Sequence, residues 1–190
     1  VVTSLIPGSE PDLVKIERVL ERKSKFSRQM AGETFDEQMV AANMDTVFVV
    51  CGLDEDFNLA RIERYLLLSM NCGAETVILL NKADINLDHT DKLKELRLIA
   101  KNNPWHLVSA KEEVGLDAIK QYISIGHTCA FVGSSGVGKS SIINLLLGYE
   151  RFETASVRTI DNRGRHTTTF REMVALPSQG LVIDTPGMRE

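Results

Sequence analysis

The chain has 190 residues, enough to bury a sizeable core, and its 43% hydrophobic and 25% charged content is that of an ordinary globular protein. A net charge of −4 excludes any bulk electrostatic pull toward nucleic acid or an anionic membrane, so such contacts would need a local patch. No apolar run approaches the roughly 20 residues of a membrane span, no secretory signal pattern opens the chain, and the three scattered cysteines read as buried thiols of a cytosolic protein.

The first 45 residues differ in texture from the rest. Residues 1–6 and 14–20 are strand-like and flank Pro7-Gly8-Ser9-Glu10-Pro11, a turn signal. The densest basic run follows, Glu21-Arg-Lys-Ser-Lys-Phe-Ser-Arg28. It reads either as a solvated strand edge guarded by lysines or as a phosphate-backbone contact with Phe26 as a stacking platform. Gly32-Glu33 and Asn43 bracket a linker-like passage. From Thr46 onward strands alternate with helices: strand 47–51, helix 59–70 closed by Gly73, strand 76–80, helix 92–100, strand 105–108, helix 116–123, strand 128–132 and a helix running to Leu147. Residues 172–176 and 180–183 close the series as a hairpin-length pair. This alternation predicts a mostly parallel α/β sheet covered on both faces, with ligands at the carboxyl ends of its strands. Two units are expected, a β-rich segment and linker over 1–45 and an α/β domain over 46–190. With its start at Val1 and its stop just after Asp184-Thr-Pro-Gly187, the chain is expected to be a piece of a longer polypeptide.

Strand 128–132 runs into Gly133-Ser-Ser-Gly-Val-Gly-Lys-Ser140, which fits G-x-x-x-x-G-K-[ST] between a strand and a helix. Glycines let the backbone curl until several N–H groups share one concavity at a helix N-terminus, where donors and dipole both favour phosphate. Gly133, Ser134, Ser135, Gly136, Val137, Gly138, Lys139, Ser140 and Ser141 are therefore assigned to phosphate binding. Lys139 is expected to reach the β- and γ-phosphates and the Ser140 hydroxyl to ligate Mg²⁺.

Asn81-Lys-Ala-Asp84 directly follows the strand ending at Leu80. A carboxylate at Asp84 can accept from guanine N1–H and from the exocyclic amine, a pair that adenine lacks. A buried polar group left unpaired by the wrong ligand can discriminate by about 10⁴–10⁵. Asn81 can donate to the purine and tie loops together, and the stem of Lys82 can cover the ring face. Ser109, Ala110 and Lys111 follow the next strand, where the Ala110 N–H is placed to meet guanine O6. Asp184 ends the last apolar strand, where a carboxylate beside the phosphate loop would hold Mg²⁺, and Gly187 offers an N–H to the γ-phosphate. Between Arg158 and Thr169 the polar stretch RTIDNRGRHTTT has no period and reads as a switch loop, with Thr168 or one of its neighbours Thr167 and Thr169 completing the Mg²⁺ shell.

The pieces look like those of a GTPase in an unusual order, NKAD and SAK before the phosphate loop and DTPG last, similar to the order in circularly permuted GTPases. Within these, the chain resembles the ribosome-small-subunit-dependent GTPase family (RsgA/YjeQ type). The resemblance rests on Ala41-Ala-Asn-Met-Asp-Thr-Val-Phe-Val-Val50, Asn81-Lys-Ala-Asp84, Gly133-Ser-Ser-Gly-Val-Gly-Lys-Ser-Ser141, Gly164-Arg-His-Thr-Thr-Thr169 and Asp184-Thr-Pro-Gly-Met-Arg-Glu190. It implies an N-terminal OB barrel, here expected only as its last strands, a central permuted GTPase, and a C-terminal zinc domain expected to be absent from this chain. It further implies GTP/GDP and Mg²⁺ as cofactors, zinc only in that absent domain, and a cytoplasmic role with the small ribosomal subunit and its rRNA. Neither membrane nor DNA is implied, and a monomer is expected.

Where Ras-like enzymes carry a water-orienting Gln after this motif, the chain has Met188, whose side chain cannot hold water in that role. Slow intrinsic turnover stimulated by a partner is the expectation. His166 is the nearest group able to place the water, in line with the resemblance, although an exposed loop histidine reads equally well. A permuted GTPase of large-subunit assembly and a GTP-gated RNA-binding module with incidental turnover remain as alternatives.

Overall fold

The computed structural model describes residues 2–5, 14–29, 37–85, 88–152, 172–177 and 180–185. Four lead-in strands come first, β1 (Val2–Leu5), β2 (Val14–Arg18), β3 (Lys25–Gln29) and β4 (Glu37–Ala42). The alternating part follows as β5 (Thr46–Gly52), α1 (Leu59–Met70), β6 (Glu75–Asn81), α2 (Thr90–Ala100), β7 (Trp105–Leu107), α3 (Leu116–Lys120), β8 (Thr128–Val132) and α4 (Lys139–Leu147). The last two strands are β9 (Glu172–Ala175) and β10 (Leu181–Asp184).

Six strands form one sheet in the order β7-β6-β5-β8-β10-β9. Every neighbouring pair is parallel except β9–β10, which is antiparallel at the edge. The expected mostly parallel sheet is thus present, and the continuous apolar runs of β5 and β8 have a direct cause: both faces are covered. Phe48, Val50, Val77, Leu79 and Phe131 point to the face holding Ile119 of α3 and Ile142 and Ile143 of α4. Their strand neighbours Cys51, Ile78 and Leu80 point the other way, to Ile62 and Leu66 of α1 and Leu96 of α2.

Helix α3 is shorter than its apolar pattern predicts. It ends at Lys120, and the chain tightens through Tyr122 N–H to Ile119 O (3.1 Å) and Ile123 N–H to Lys120 O (3.0 Å). Those are i to i+3 bonds, the tighter turn that commonly finishes a helix, and they still bring Ile123 into the core.

The lead-in departs from its sequence reading at one point and decides between two open readings at another. Strands β1 and β2 pair antiparallel, and so do β3 and β4. Strand β4 falls inside the passage expected to be linker, because Val40 and Ala41 bury against the sheet and Asn43 turns the chain at φ 57° into β5. Of the two readings of the basic run, the structure favours the solvated edge, and Phe26 is no stacking platform. It is 0% exposed and packs with Val47, Val49, Tyr65, Cys72 and Ala130 beneath the sheet. Its neighbours Arg22, Lys23 and Lys25 are exposed, the arrangement of a solvated edge over a buried anchor. Lys25 N–H bonds to Cys72 O at 2.9 Å and Ser24 Oγ to Met44 O at 2.6 Å, which pins β3 to the α/β body.

Phe26→Ala should therefore destabilise the chain by about 3–5 kcal/mol, the usual cost of a large cavity in a core. Urea unfolding measures it; an unchanged midpoint would mean the ring carries no packing load.

Candidate nucleotide-binding site

The carboxyl ends of β5, β6, β8 and β10 meet along one edge of the sheet, with Gly52 opposite Asn81 and Asp184 opposite Phe131 in the register. The NKAD and SAK loops, the phosphate loop and Asp184 lie at that edge. The phosphate loop leaves β8 at Gly133, whose φ of 153° and closeness to β5 both demand glycine: a Cβ there would stand 2.3 Å from Val50 O. Val137 is buried in the core and anchors the loop from below, while Ser135 and Gly136 are exposed at its tip. Gly138, left-handed at φ 96°, turns the chain into α4.

Asn81 joins the loops. Its Nδ2 donates to Val137 O at 2.7 Å, and its Oδ1 accepts from Ala110 N–H at 3.0 Å. A Cβ on Gly138 would lie 2.1 Å from that Nδ2, so the glycine is required by the clamp as well as by its own backbone. Asn81 ties loops together as its position suggested. In doing so it occupies the Ala110 N–H that the spacing had reserved for guanine O6.

Asp84 is set by the loop after β7. Ser109 Oγ donates to Asp84 Oδ1 at 2.6 Å, and Lys111 Nζ stands 3.9 Å from Oδ2. The Ser109 hydrogen bond is the chief reason that the carboxyl is held below the usual carboxylate range, with slight burial opposing and Lys111 and Lys82 assisting. Asp84 therefore stays an acceptor at neutral pH. Lys82 adopts φ 65°, and its Nζ meets Asp54 Oδ2 at 2.5 Å, which fixes the stem that would lie along a base.

On the phosphate side, Lys139 is 6% exposed and its Nζ donates to Ser134 O (2.7 Å) and Gly133 O (3.2 Å). Burial pushes its pKa down to about 8, against the opposing pull of Asp184. Ser140 Oγ donates to Asp184 Oδ2 at 3.2 Å, so the two predicted metal ligands converge. Asp184 is 0% exposed, and the next residue, Thr185, ties its Oγ1 to Phe131 O at 2.6 Å. Ser141 lies half-buried in the first turn of α4. His166, Thr167, Thr168, Thr169, Gly187 and Met188 lie outside the described residues.

Sequence reasoning missed the loop from Leu53 to Asn58. Asp54 holds Lys82, and Asp56 with Arg61 holds Ser134, through Ser134 Oγ to Asp56 Oδ2 at 2.9 Å and Arg61 Nη1 to Ser134 Oγ at 3.2 Å. Lys92 reaches over from α2 to Leu53 O at 2.5 Å and Asp54 O at 3.1 Å. The signal was present: Asp54-Glu-Asp56 follows an apolar strand at the same sheet edge as the motifs.

Residues 19–190 match the family model described as RsgA GTPase. The chain belongs to the RsgA GTPase family. A small ribosomal subunit biogenesis GTPase RsgA from Xanthomonas oryzae pv. oryzae is 49% identical over 177 residues, covering 93% of this chain and 49% of that protein. The chain thus spans about half the length of the curated relatives that it matches. Among solved structures, YjeQ from Thermotoga maritima superposes with a TM-score of 0.65 at 30% identity, over 96% of this chain and 58% of that one. YloQ, a circularly permuted GTPase, superposes at 0.55 with 18% identity, over 99% of this chain and 68% of that one, which bears on the fold alone. The RsgA family and the motif order together make this a circularly permuted GTPase fold, preceded by the lead-in strands.

Replacing Asn81 by Ala in this RsgA-family chain leaves Val137 O and Ala110 N–H without their partner. The expected loss is about 2–3 kcal/mol of stability without any nucleotide, read by chemical denaturation; parent-like stability would show that the loops hold without the clamp.

Proposed function

We propose that the chain binds guanine nucleotide with Mg²⁺ and hydrolyses GTP to GDP and phosphate. In this reading it serves as the nucleotide-dependent switch of a cytoplasmic protein that acts on the small ribosomal subunit and its rRNA, as a monomer. The observation that carries the reading is the Asn81 clamp, which brings the NKAD loop, the SAK loop and the phosphate loop into one site. Asp84 supplies base choice, since its carboxylate matches the two donors of guanine. Lys82 covers the ring, with Asp54 fixing its reach. Backbone N–H groups of Gly136 to Ser140 and the Lys139 ammonium take the phosphates.

A hard oxygen pair at Ser140 and Asp184, already 3.2 Å apart, suits Mg²⁺, and these two residues would hold it. The ion, when bound, would supply charge neutralisation for the phosphates. Thr168, or Thr167 or Thr169, is proposed to join those ligands, and Gly187 to donate to the γ-phosphate. With Met188 in place of a water-holding residue, His166 is the proposed group that positions the attacking water. Contacts of Gly187 would pass the nucleotide state to whatever follows Glu190. The lead-in strands are proposed to belong to an OB-type β domain, with residues 1–45 as its part in this chain. They are also the reason for preferring the small subunit, since permuted GTPases of the large subunit tend to lack such a lead-in. The name borne by the Xanthomonas relatives points the same way.

GTP turnover by the full-length parent protein, alone and with purified small or large ribosomal subunits, tests the reading. Slow basal turnover with strong stimulation by small subunits only is expected; stimulation by large subunits alone would move the protein to the other assembly pathway.

A pH dependence follows from Lys139. The free ammonium titrates at about 8, and a bound phosphate favours its charged form, so binding above that pH must take up a proton. GDP affinity should be level between about pH 7 and 8 and fall above that by up to tenfold per unit, with proton uptake visible by calorimetry in buffers of different ionisation heat. No uptake at about pH 8.5 would mean that Lys139 is already fully charged or does not meet the phosphate.

A further inference from the structure

We infer that Asp56 and Arg61 are a positioning pair that holds the phosphate loop ready for nucleotide through the Ser134 side chain, an inference that rests on the guanine-nucleotide reading above. Three groups close a triangle. Ser134 Oγ donates to Asp56 Oδ2 at 2.9 Å, Arg61 Nη1 donates to Ser134 Oγ at 3.2 Å, and the same Nη1 meets Asp56 Oδ1 at 2.8 Å. Both supporting residues are themselves fixed. Asn58 caps α1 by accepting from Arg61 N–H at 2.9 Å, and Asp56 N–H is turned toward Asp54 Oδ1 at 3.3 Å. Arg61 also reaches Asp56 O at 3.4 Å.

The position of Ser134 gives the triangle its consequence. Its hydroxyl faces Asp56, while its carbonyl receives the Lys139 ammonium at 2.7 Å. One residue therefore carries the loop's attachment to α1 and the resting place of the phosphate-binding lysine. Gly133, just before it, is wedged against Val50 O, and Val137, just after the tip, is buried. Ser135 and Gly136 are exposed between these anchors. Without the triangle, Ser134 keeps the Lys139 contact at its carbonyl, which a bound phosphate would draw away, and glycine-rich backbone samples many curvatures. Asp56 and Arg61 are 38% and 17% exposed, and an ion pair of that exposure adds little stability of its own. What it supplies is orientation: the competent loop shape becomes the populated one, and apparent affinity scales with that population.

GDP affinity of the full chain, measured by titration with a fluorescent GDP analogue, tests this in a double-mutant cycle. Asp56→Ala and Ser134→Ala should each weaken binding about tenfold, and the double variant no further, since either one alone opens the triangle. Asp56→Asn keeps an oxygen that accepts from Ser134 and should recover most of the loss, which a general folding defect would not allow. Multiplying losses in the double variant, or parent-like affinity in Asp56→Ala, would overturn the positioning role. Lys139→Ala, run alongside, separates the two levels. Lost binding there with parent-like Asp56→Ala removes only the positioning pair, whereas retained GDP affinity in Lys139→Ala removes the nucleotide reading beneath it.

Discussion

The side-chain amide of Asn81 is the joint on which the site depends. A carboxamide carries both donor and acceptor on one rigid plane, so a single residue at the end of β6 can grip a carbonyl on one loop and an amide on another. The two gripped residues are far from it and from each other in the chain, on opposite sides of the break in motif order. An aspartate could not donate to Val137 O, and a shorter or apolar residue could reach neither partner. Gly138 accepts the consequence by lacking a Cβ where the amide passes.

That joint explains how a permuted order can build an ordinary site. Each loop is delivered by its own strand, and the strands are delivered by the register of a sheet buried on both faces. Parallel strands place all their carboxyl ends on one edge, so the direction of each strand matters and its turn in the chain does not. The remaining geometry is local: Ser109 orients Asp84, Asp54 orients Lys82, and Asp184 meets Ser140. Such contacts act across a few ångströms and are blind to how the chain arrives.

How much of this is legible in the sequence follows from the same distinction. Strands β5, β6 and β8 are readable because burial on both faces requires unbroken apolar runs, and the motif loops because phosphate and guanine chemistry restricts residue type and spacing. Helix α1 is readable from its apolar stripe. Phe26 leaves two readings open because a phenylalanine among lysines looks the same whether it faces solvent or core; only the pairing of β3 with β4 decides which way it turns. Strand β4 has no alternation clean enough to mark it. Asp56, Arg61 and Ser134 carry no motif at all: their meeting is a product of tertiary placement, with Ser134 78 residues away from Asp56.

The burial of Phe26 also decides where the molecule can pivot. Strand β3 is fastened to the α/β body by a core side chain and by the backbone at Cys72, so it moves with the sheet rather than with the strands before it. Residues 19–23, between β2 and β3, are all exposed. Asn43 nevertheless clips that run from both sides, accepting from Lys23 N–H at 2.8 Å and donating to Glu21 O at 3.1 Å. Within that described run the clip takes in Glu21 and Lys23 and leaves out Val19 and Leu20, so the attachment of β3 to the sheet begins after them.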